Sequence, residues 1–215
     1  VSMNCGGGPH VYTADVVIVG GTPGGIMAAI GAARGGQDVI LLERTRHIGG
    51  LPANGLGATD IHTRGATGGL FLEFVGYIKQ HYIDTYGEDS QQVKDCDDGY
   101  HFEPHVAEMV LELMIAEYPN ISLKRLQQFD ALPDNIMIED GTIKQIKVKN
   151  RSYDRLEIYE APIFIDATYE GDLAAAAGAP FRVGREGRDE FNEPMAGRIY
   201  KKWGGPEGPG STFEA

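Results

Sequence analysis

The chain has 215 residues, 42% hydrophobic and 23% charged, which suits one domain or slightly more with a buried core and excludes disorder over most of its length. With 19 Lys and Arg against 31 Asp and Glu the formal net charge is −12, so phosphate backbones and anionic membrane surfaces would be repelled and neither nucleic acid nor membrane is expected as a partner. No apolar run approaches the roughly 20 residues of a membrane-spanning helix, so a soluble protein is expected.

Residues 1–14, with Gly6, Gly7, Gly8 and Pro9, read as an irregular arm. Asp15-Val16-Val17-Ile18-Val19-Gly20 is a nearly continuous β-branched run, the pattern of a strand buried on both faces of a parallel sheet. Ile26 to Arg34 reads as a helix rich in small residues, ended by Gly35-Gly36, and Asp38 to Glu43 as a second buried strand. Residues 15–43 therefore form a β-α-β unit with a right-handed crossover. A glycine-rich loop runs from Arg44 to about Gly65. Leu70, Phe71, Phe74, Val75, Ile78 and Tyr82 then keep the spacing of an amphipathic helix.

Residues 84–101 are polar and read as a loop, and Pro104 opens a second helix, striped with Val106, Met109, Val110, Leu113 and Met114, which stops before Pro119. Strands are predicted at Ile121–Leu126, Ile136–Ile138, Ile143–Val148 and Leu156–Tyr159, with a turn at Asp140-Gly141. The last three form an antiparallel meander. Pro162–Asp166 reads as another buried strand and Asp172–Ala177 as a helix, while the tail from Gly184 has no clear element. The domain plan is an arm at 1–14, one domain at 15–183 with a helical insertion at 67–118 and the meander at 128–160, and a tail at 184–215.

Gly20-Gly21-Thr22-Pro23-Gly24-Gly25 lies between a predicted strand and a predicted helix, the context of a dinucleotide-binding turn. Gly20 makes the tight turn, Gly25 lets helix and strand approach, and the helix N-terminus offers amides to a diphosphate. Thr22 replaces the middle glycine of G-x-G-x-x-G, and its hydroxyl is available as a donor in place of backbone approach. Glu43 ends the next strand, where a carboxylate can bond a ribose diol. It would repel a 2′-phosphate, which favours FAD or NAD over NADP. The competing reading is a glycine-rich turn and an exposed Glu with no nucleotide.

Three segments resemble the FAD-dependent oxidoreductases with a glutathione-reductase-like FAD domain. They are Asp15–Gly25 through Glu43-Arg44; Ile48-Gly49-Gly50-Leu51-Pro52-Ala53-Asn54-Gly55-Leu56-Gly57; and Phe164-Ile165-Asp166-Ala167-Thr168-Tyr169-Glu170-Gly171-Asp172-Leu173-Ala174, with Tyr169 at a glycine of the family pattern. The resemblance implies an α/β Rossmann-like fold, a parallel sheet with helices and an inserted three-stranded antiparallel meander. It also implies FAD as cofactor, held by Gly20, Gly21, Thr22, Pro23, Gly24, Gly25, Glu43, Arg44, Gly49, Gly50, Leu51, Asn54, Gly55, Leu56, Gly57, Ala167, Thr168 and Asp172. The implied activity is hydride transfer from a small-molecule substrate to the flavin. Family members have a later segment closing the FAD site and a substrate domain, and nothing after Gly184 resembles these. A C-terminal portion or a second chain is therefore expected to complete the site. The alternatives are an NAD-binding Rossmann dehydrogenase and a non-catalytic nucleotide-binding subunit.

Flavin chemistry leaves the protein to position groups, exclude water and often supply one base. The candidates are Asp60, His62 and His105, with His47 and Asn54 near the same loop; Asn54 and Asp60 also suit polar contacts to flavin or substrate. In His101-Phe102-Glu103-Pro104-His105, the proline prevents both imidazoles from sharing a helix face, so no metal is expected. Glu103 is expected to cap the helix, with His105 in its first turn facing the cofactor cleft. Cys5 and Cys96 form no C-x-x-C pair and allow one disulfide or none. Asn120-Ile121-Ser122 and Asn150-Arg151-Ser152 fit the N-glycosylation pattern, giving an expectation of a secreted glycoprotein, with a cytoplasmic origin as the alternative.

Overall fold

The computed structural model describes residues 9–200 and 212–214, the backbone alone for 198–200 and 212–214. Two units are present, 1–179 and 180–215. In chain order the first holds β1 (His10–Thr13), β2 (Val16–Val19), α1 (Pro23–Arg34), β3 (Val39–Glu43), α2 (Gly50–Ala53), α3 (Leu70–Tyr86), α4 (Gln91–Asp95), α5 (Pro104–Ala116), β4 (Ile121–Arg125), β5 (Gln127–Gln128), β6 (Ile136–Glu139), β7 (Thr142–Asn150), β8 (Arg155–Glu160), β9 (Ile163–Asp166) and α6 (Asp172–Ala176).

The central sheet is parallel, in the order β4-β3-β2-β9. Its two inner strands, β2 and β3, are buried throughout because both faces are covered. Alternation along each strand divides the core in two. Val16, Ile18, Val39 and Leu41 pack against Ile26, Ile30, Ile78, Val110 and Leu111 of the helices. Val17, Val19, Ile40 and Leu42 pack against Ile146, Val148 and Tyr159 of the second sheet. Three layers result: helices, parallel sheet, meander.

The meander forms where the alternating pattern places it, with β6 and β7 joined at Asp140 (φ 50°) and Gly141 (φ 73°), both left-handed as a two-residue hairpin turn requires. Its sheet is wider than three strands. β5 pairs with β7, and His10–Thr13 is a parallel edge strand on β8 rather than part of an irregular arm. Tyr12 stacks on the fully buried Tyr159 at 5.1 Å, and Lys124 Nζ lies 3.8 Å from the centre of the Tyr12 ring. Beneath them Glu157, only 1% exposed, accepts from Asn150 Nδ2 (2.9 Å), from Arg155 (2.8 Å) and from the Tyr159 hydroxyl (3.0 Å).

The segment 84–101 is not all loop: α4 forms there, capped by Ser90, which accepts from the Val93 N–H. Arg34 at the end of α1 binds both carboxylate oxygens of Glu73 on α3 (2.6 and 2.9 Å), tying the helical insertion to the β-α-β unit. In the second unit α7 (Arg188–Phe191) and the antiparallel pair β10 (Arg198–Tyr200) and β11 (Thr212–Glu214) occur where no element is expected from the sequence. Cys5 and the glycines at 6–8 and 204–210 lie outside the described residues. Cys96 is a buried free thiol donating to the Val93 carbonyl. No described helix is long and apolar enough to cross a membrane.

Candidate functional site

The turn from β2 to α1 is closed by contacts that only glycine permits. Gly20 has φ 111°, and a Cβ there would stand 2.5 Å from the Ala167 carbonyl oxygen; a Cβ on Gly25 would stand 2.0 Å from the Gly20 carbonyl oxygen. Thr22 caps α1, its hydroxyl accepting from the Gly25 N–H (3.3 Å) and donating to the Ala167 carbonyl (2.8 Å). That proton is therefore engaged within the fold rather than free for a phosphate. Pro23 occupies the first helical position, and the Gly24 N–H, in the first turn, has no intrahelical acceptor.

Glu43 is buried at the end of β3. Its carboxylate accepts from the Gly21 N–H (3.0 Å) and the Thr45 N–H (2.6 Å), which fixes its position while leaving lone pairs open. The second glycine loop docks directly on the first, because the Gly49 N–H donates to the Gly21 carbonyl at 2.7 Å. Gly49 (φ 95°) is pressed against Leu111 of α5 and Gly50 (φ 54°) against the hydroxyl of Tyr169, which accepts from the Leu51 N–H at 2.8 Å. Glu108 on α5 holds the approach to this loop, bonding His47 Nδ1 (2.9 Å) and the Ile48 N–H (3.1 Å).

After β9, Asp166 organises the third segment: it accepts from the Thr168 N–H and hydroxyl and from the Ala174 N–H, while Thr168 Oγ1 accepts from Gly171 and Asp172. The Asp-x-Thr spacing is an Asx-turn signal that could have marked Asp166. Burial, then the carboxylates of Glu170 and Asp166, raises the pKa of Asp172.

Two clefts flank the turn. One, of about 350 Å³, is lined by Gly20, Glu43, Arg44, Asn54, Gln127, Phe129 and Asp172 among others. The other, of about 710 Å³, is mostly apolar, with Met27, Leu56, Phe71, Phe74, Phe102 and Leu111 in its wall and Thr59 and Asp60 as polar groups. The glycine cradle between them, with a buried carboxylate at one end, fits an extended dinucleotide.

Most of the expected cofactor residues line these clefts: Gly20, Thr22, Glu43, Arg44, Gly50, Leu51, Asn54, Thr168 and Asp172 the first, and Thr22, Pro23, Gly24, Leu51, Leu56, Ala167 and Thr168 the second. Gly21, Gly25 and Gly49 serve as backbone supports, and Gly55 and Gly57 line neither cleft. Asn54 is on the Glu43 side, its amide donating to the Gly50 carbonyl, rather than in the apolar cleft. Gln127, Phe129 and Tyr169 also line the clefts and Asp166 shapes the third segment, though none of the four is among the cofactor residues that the sequence implies.

Two of the three catalytic candidates share a cleft. Asp60 (φ 52°) lines both the apolar cleft and an adjoining polar cleft, which His62 lines with Arg64 and Asp97. His105 is exposed and lines neither main cleft, so it does not face the cofactor region as expected. Glu103 holds the N-cap position of α5, but its carboxylate accepts from the Tyr82 hydroxyl instead of capping the helix. Among the described residues no cluster of three metal-ligating groups occurs.

Neither glycosylation triplet presents its amide. Asn120 Nδ2 donates to the Ala33 and Gln37 carbonyls, and Asn150 is buried against Glu157.

Among solved structures, OxyS anhydrotetracycline hydroxylase from Streptomyces rimosus is 16% identical over 82% of this chain and 35% of its own, with a TM-score of 0.51. BexE, described for oxidation during BE-7585A biosynthesis, is 20% identical over 81% of this chain and 36% of its own, TM-score 0.51. The flavin-dependent monooxygenase PieE, in complex with FAD and substrate, is 16% identical over 84% and 34%, TM-score 0.50. The likeness is one of fold, and the chain spans about a third of the length of each. No curated protein matches it. The FAD dependent oxidoreductase family matches residues 15–205, encompassing the glycine turn, Glu43, the second glycine loop and the Asp166–Asp172 segment. The chain belongs to the FAD dependent oxidoreductase family.

Proposed function

We propose that residues 15–179 hold FAD along the glycine cradle and contribute to the oxidation of a small organic substrate. The carrying observation is the Gly20–Gly25 turn closed against Ala167, with the Glu43 carboxylate fixed beside it and a cleft on each side. Glu43 would bond the ribose diol in the first cleft, and Gly24, in the first turn of α1, would meet the diphosphate. The apolar walls of the second cleft would exclude water around the flavin and substrate. When bound, FAD supplies the two-electron acceptor for hydride transfer. Asp60, in the wall of that cleft, is the group best placed to take up a proton from the substrate, with His62 in the neighbouring cleft able to relay it to solvent.

That the chain spans about a third of the solved structures above supports a further segment or second polypeptide completing the site. The visible absorption spectrum of the purified protein, before and after denaturation, tests the proposal. Flavin bands that leave with denaturation are expected, and their absence under cofactor-retaining conditions refutes FAD binding. Denaturing electrophoresis of an active sample tests the completing polypeptide, which is refuted if this chain alone is found.

A further inference from the structure

The two clefts share four residues, Thr22, Leu51, Thr168 and Tyr169, which form a waist between them. A dinucleotide reaching from Glu43 into the apolar cleft must cross this waist, and a diphosphate is the part that crosses. Several carboxylates already border the first cleft: Glu43, Glu170 and Asp172. Arg44 on the same side faces Glu170 at 3.5 Å. Neutral donors at the waist are therefore the means of receiving negative charge there.

Of the three hydroxyls at the waist, those of Thr22 and Thr168 are engaged, as is the Leu51 N–H. The Thr22 hydroxyl donates to the Ala167 carbonyl (2.8 Å), the Thr168 hydroxyl to Asp166 Oδ1 (2.8 Å), and the Leu51 N–H to the Tyr169 oxygen (2.8 Å). The Tyr169 hydroxyl accepts that bond, and among the described residues no acceptor takes its own proton. The same contact holds it in place, because its oxygen occupies the space a Cβ on Gly50 would need, 2.1 Å away. A phenol fixed by a backbone amide, with an uncommitted proton, thus stands between the clefts.

We infer that Tyr169 is a cofactor-binding residue whose hydroxyl donates to a diphosphate oxygen at the waist, adding a side-chain donor to the backbone N–H of Gly24. This rests on the FAD reading above. Binding of FAD, ADP and riboflavin to wild-type protein and to Tyr169→Phe, followed by titration calorimetry on the cofactor-stripped protein, tests it. A bond from a neutral donor to a charged oxygen predicts roughly tenfold weaker binding of FAD and ADP to the variant. Riboflavin, which lacks phosphate, should bind both proteins equally. Equal affinity for FAD, or an equal loss for riboflavin, overturns the role of Tyr169, the second result pointing to general loosening of the Gly49-Gly50 loop. Wild-type protein that binds no FAD overturns the FAD reading, and the role of Tyr169 with it.

Discussion

Gly25 sets the distance between helix α1 and strand β2, and adding one methyl group there tests the cradle. In Gly25→Ala the new Cβ would lie 2.0 Å from the Gly20 carbonyl oxygen and 3.0 Å from Ala167 Cβ. Ordinary contact begins at about 3.5 Å, so the start of α1 must withdraw by about 1.5 Å or the Gly20 turn must open. Overpacking of this kind costs about 1–3 kcal/mol, which for a unit of this size lowers Tm by about 2–12 °C. The displaced turn carries the Gly24 N–H with it, so FAD affinity should fall in the same variant. Gly31→Ala is the control, since a Cβ there meets nothing within 4 Å on an exposed part of the same helix. It should raise stability by about 0.5–1 kcal/mol through helix propensity alone. Thermal unfolding of both variants, with FAD titration of each, provides the comparison. A Gly25→Ala protein with wild-type Tm and wild-type FAD affinity would refute the claim that close approach at this residue builds the turn.

Tyr159→Phe removes the hydroxyl bonded to the buried Glu157 and should cost about 1–3 kcal/mol in urea unfolding; an unchanged midpoint argues against the buried network. Asp172 has its pKa raised in the folded state by burial and by Glu170 and Asp166, so its ionised form opposes folding, a penalty absent below the carboxylate range that grows as pH rises through the folded value. Asp172→Asn should therefore have the higher Tm in cofactor-free protein at neutral pH, with the difference closing on acidification; a difference independent of pH contradicts the electrostatic cause. Folded protein made in a glycosylating host should carry no glycan at Asn150, which is 6% exposed, and peptide mass spectrometry finding one there would contradict its burial.

What could be read from the sequence was what neighbouring residues decide. The β2-α1-β3 unit, the Asp140-Gly141 hairpin and the start of α5 at Pro104 each depend on patterns within a few positions. The strand His10–Thr13 was not legible, because four residues acquire strand character only from a partner at 157–160. Helix α4 hides in a polar segment whose main cue is the cap at Ser90. At the site, the acidic residue at the end of β3 is announced by its distance from the turn. Tyr169 and Glu108 are not, since their roles come from segments separated by 118 and 60 positions. The histidines drew attention for their chemistry, yet His105 is on the surface, away from both main clefts.

The bond from the Thr22 hydroxyl to the Ala167 carbonyl spans 145 positions, and the Gly20 turn rests on that same carbonyl. The motif that emerges first from the ribosome thus lacks one of its walls until residue 167 has been made and has reached the sheet. Contacts so distant in the chain form slowly, which makes the earliest-synthesised part of the nucleotide site among the last to be finished. A polypeptide stalled before residue 167 would carry the glycine turn without the wall that shapes it.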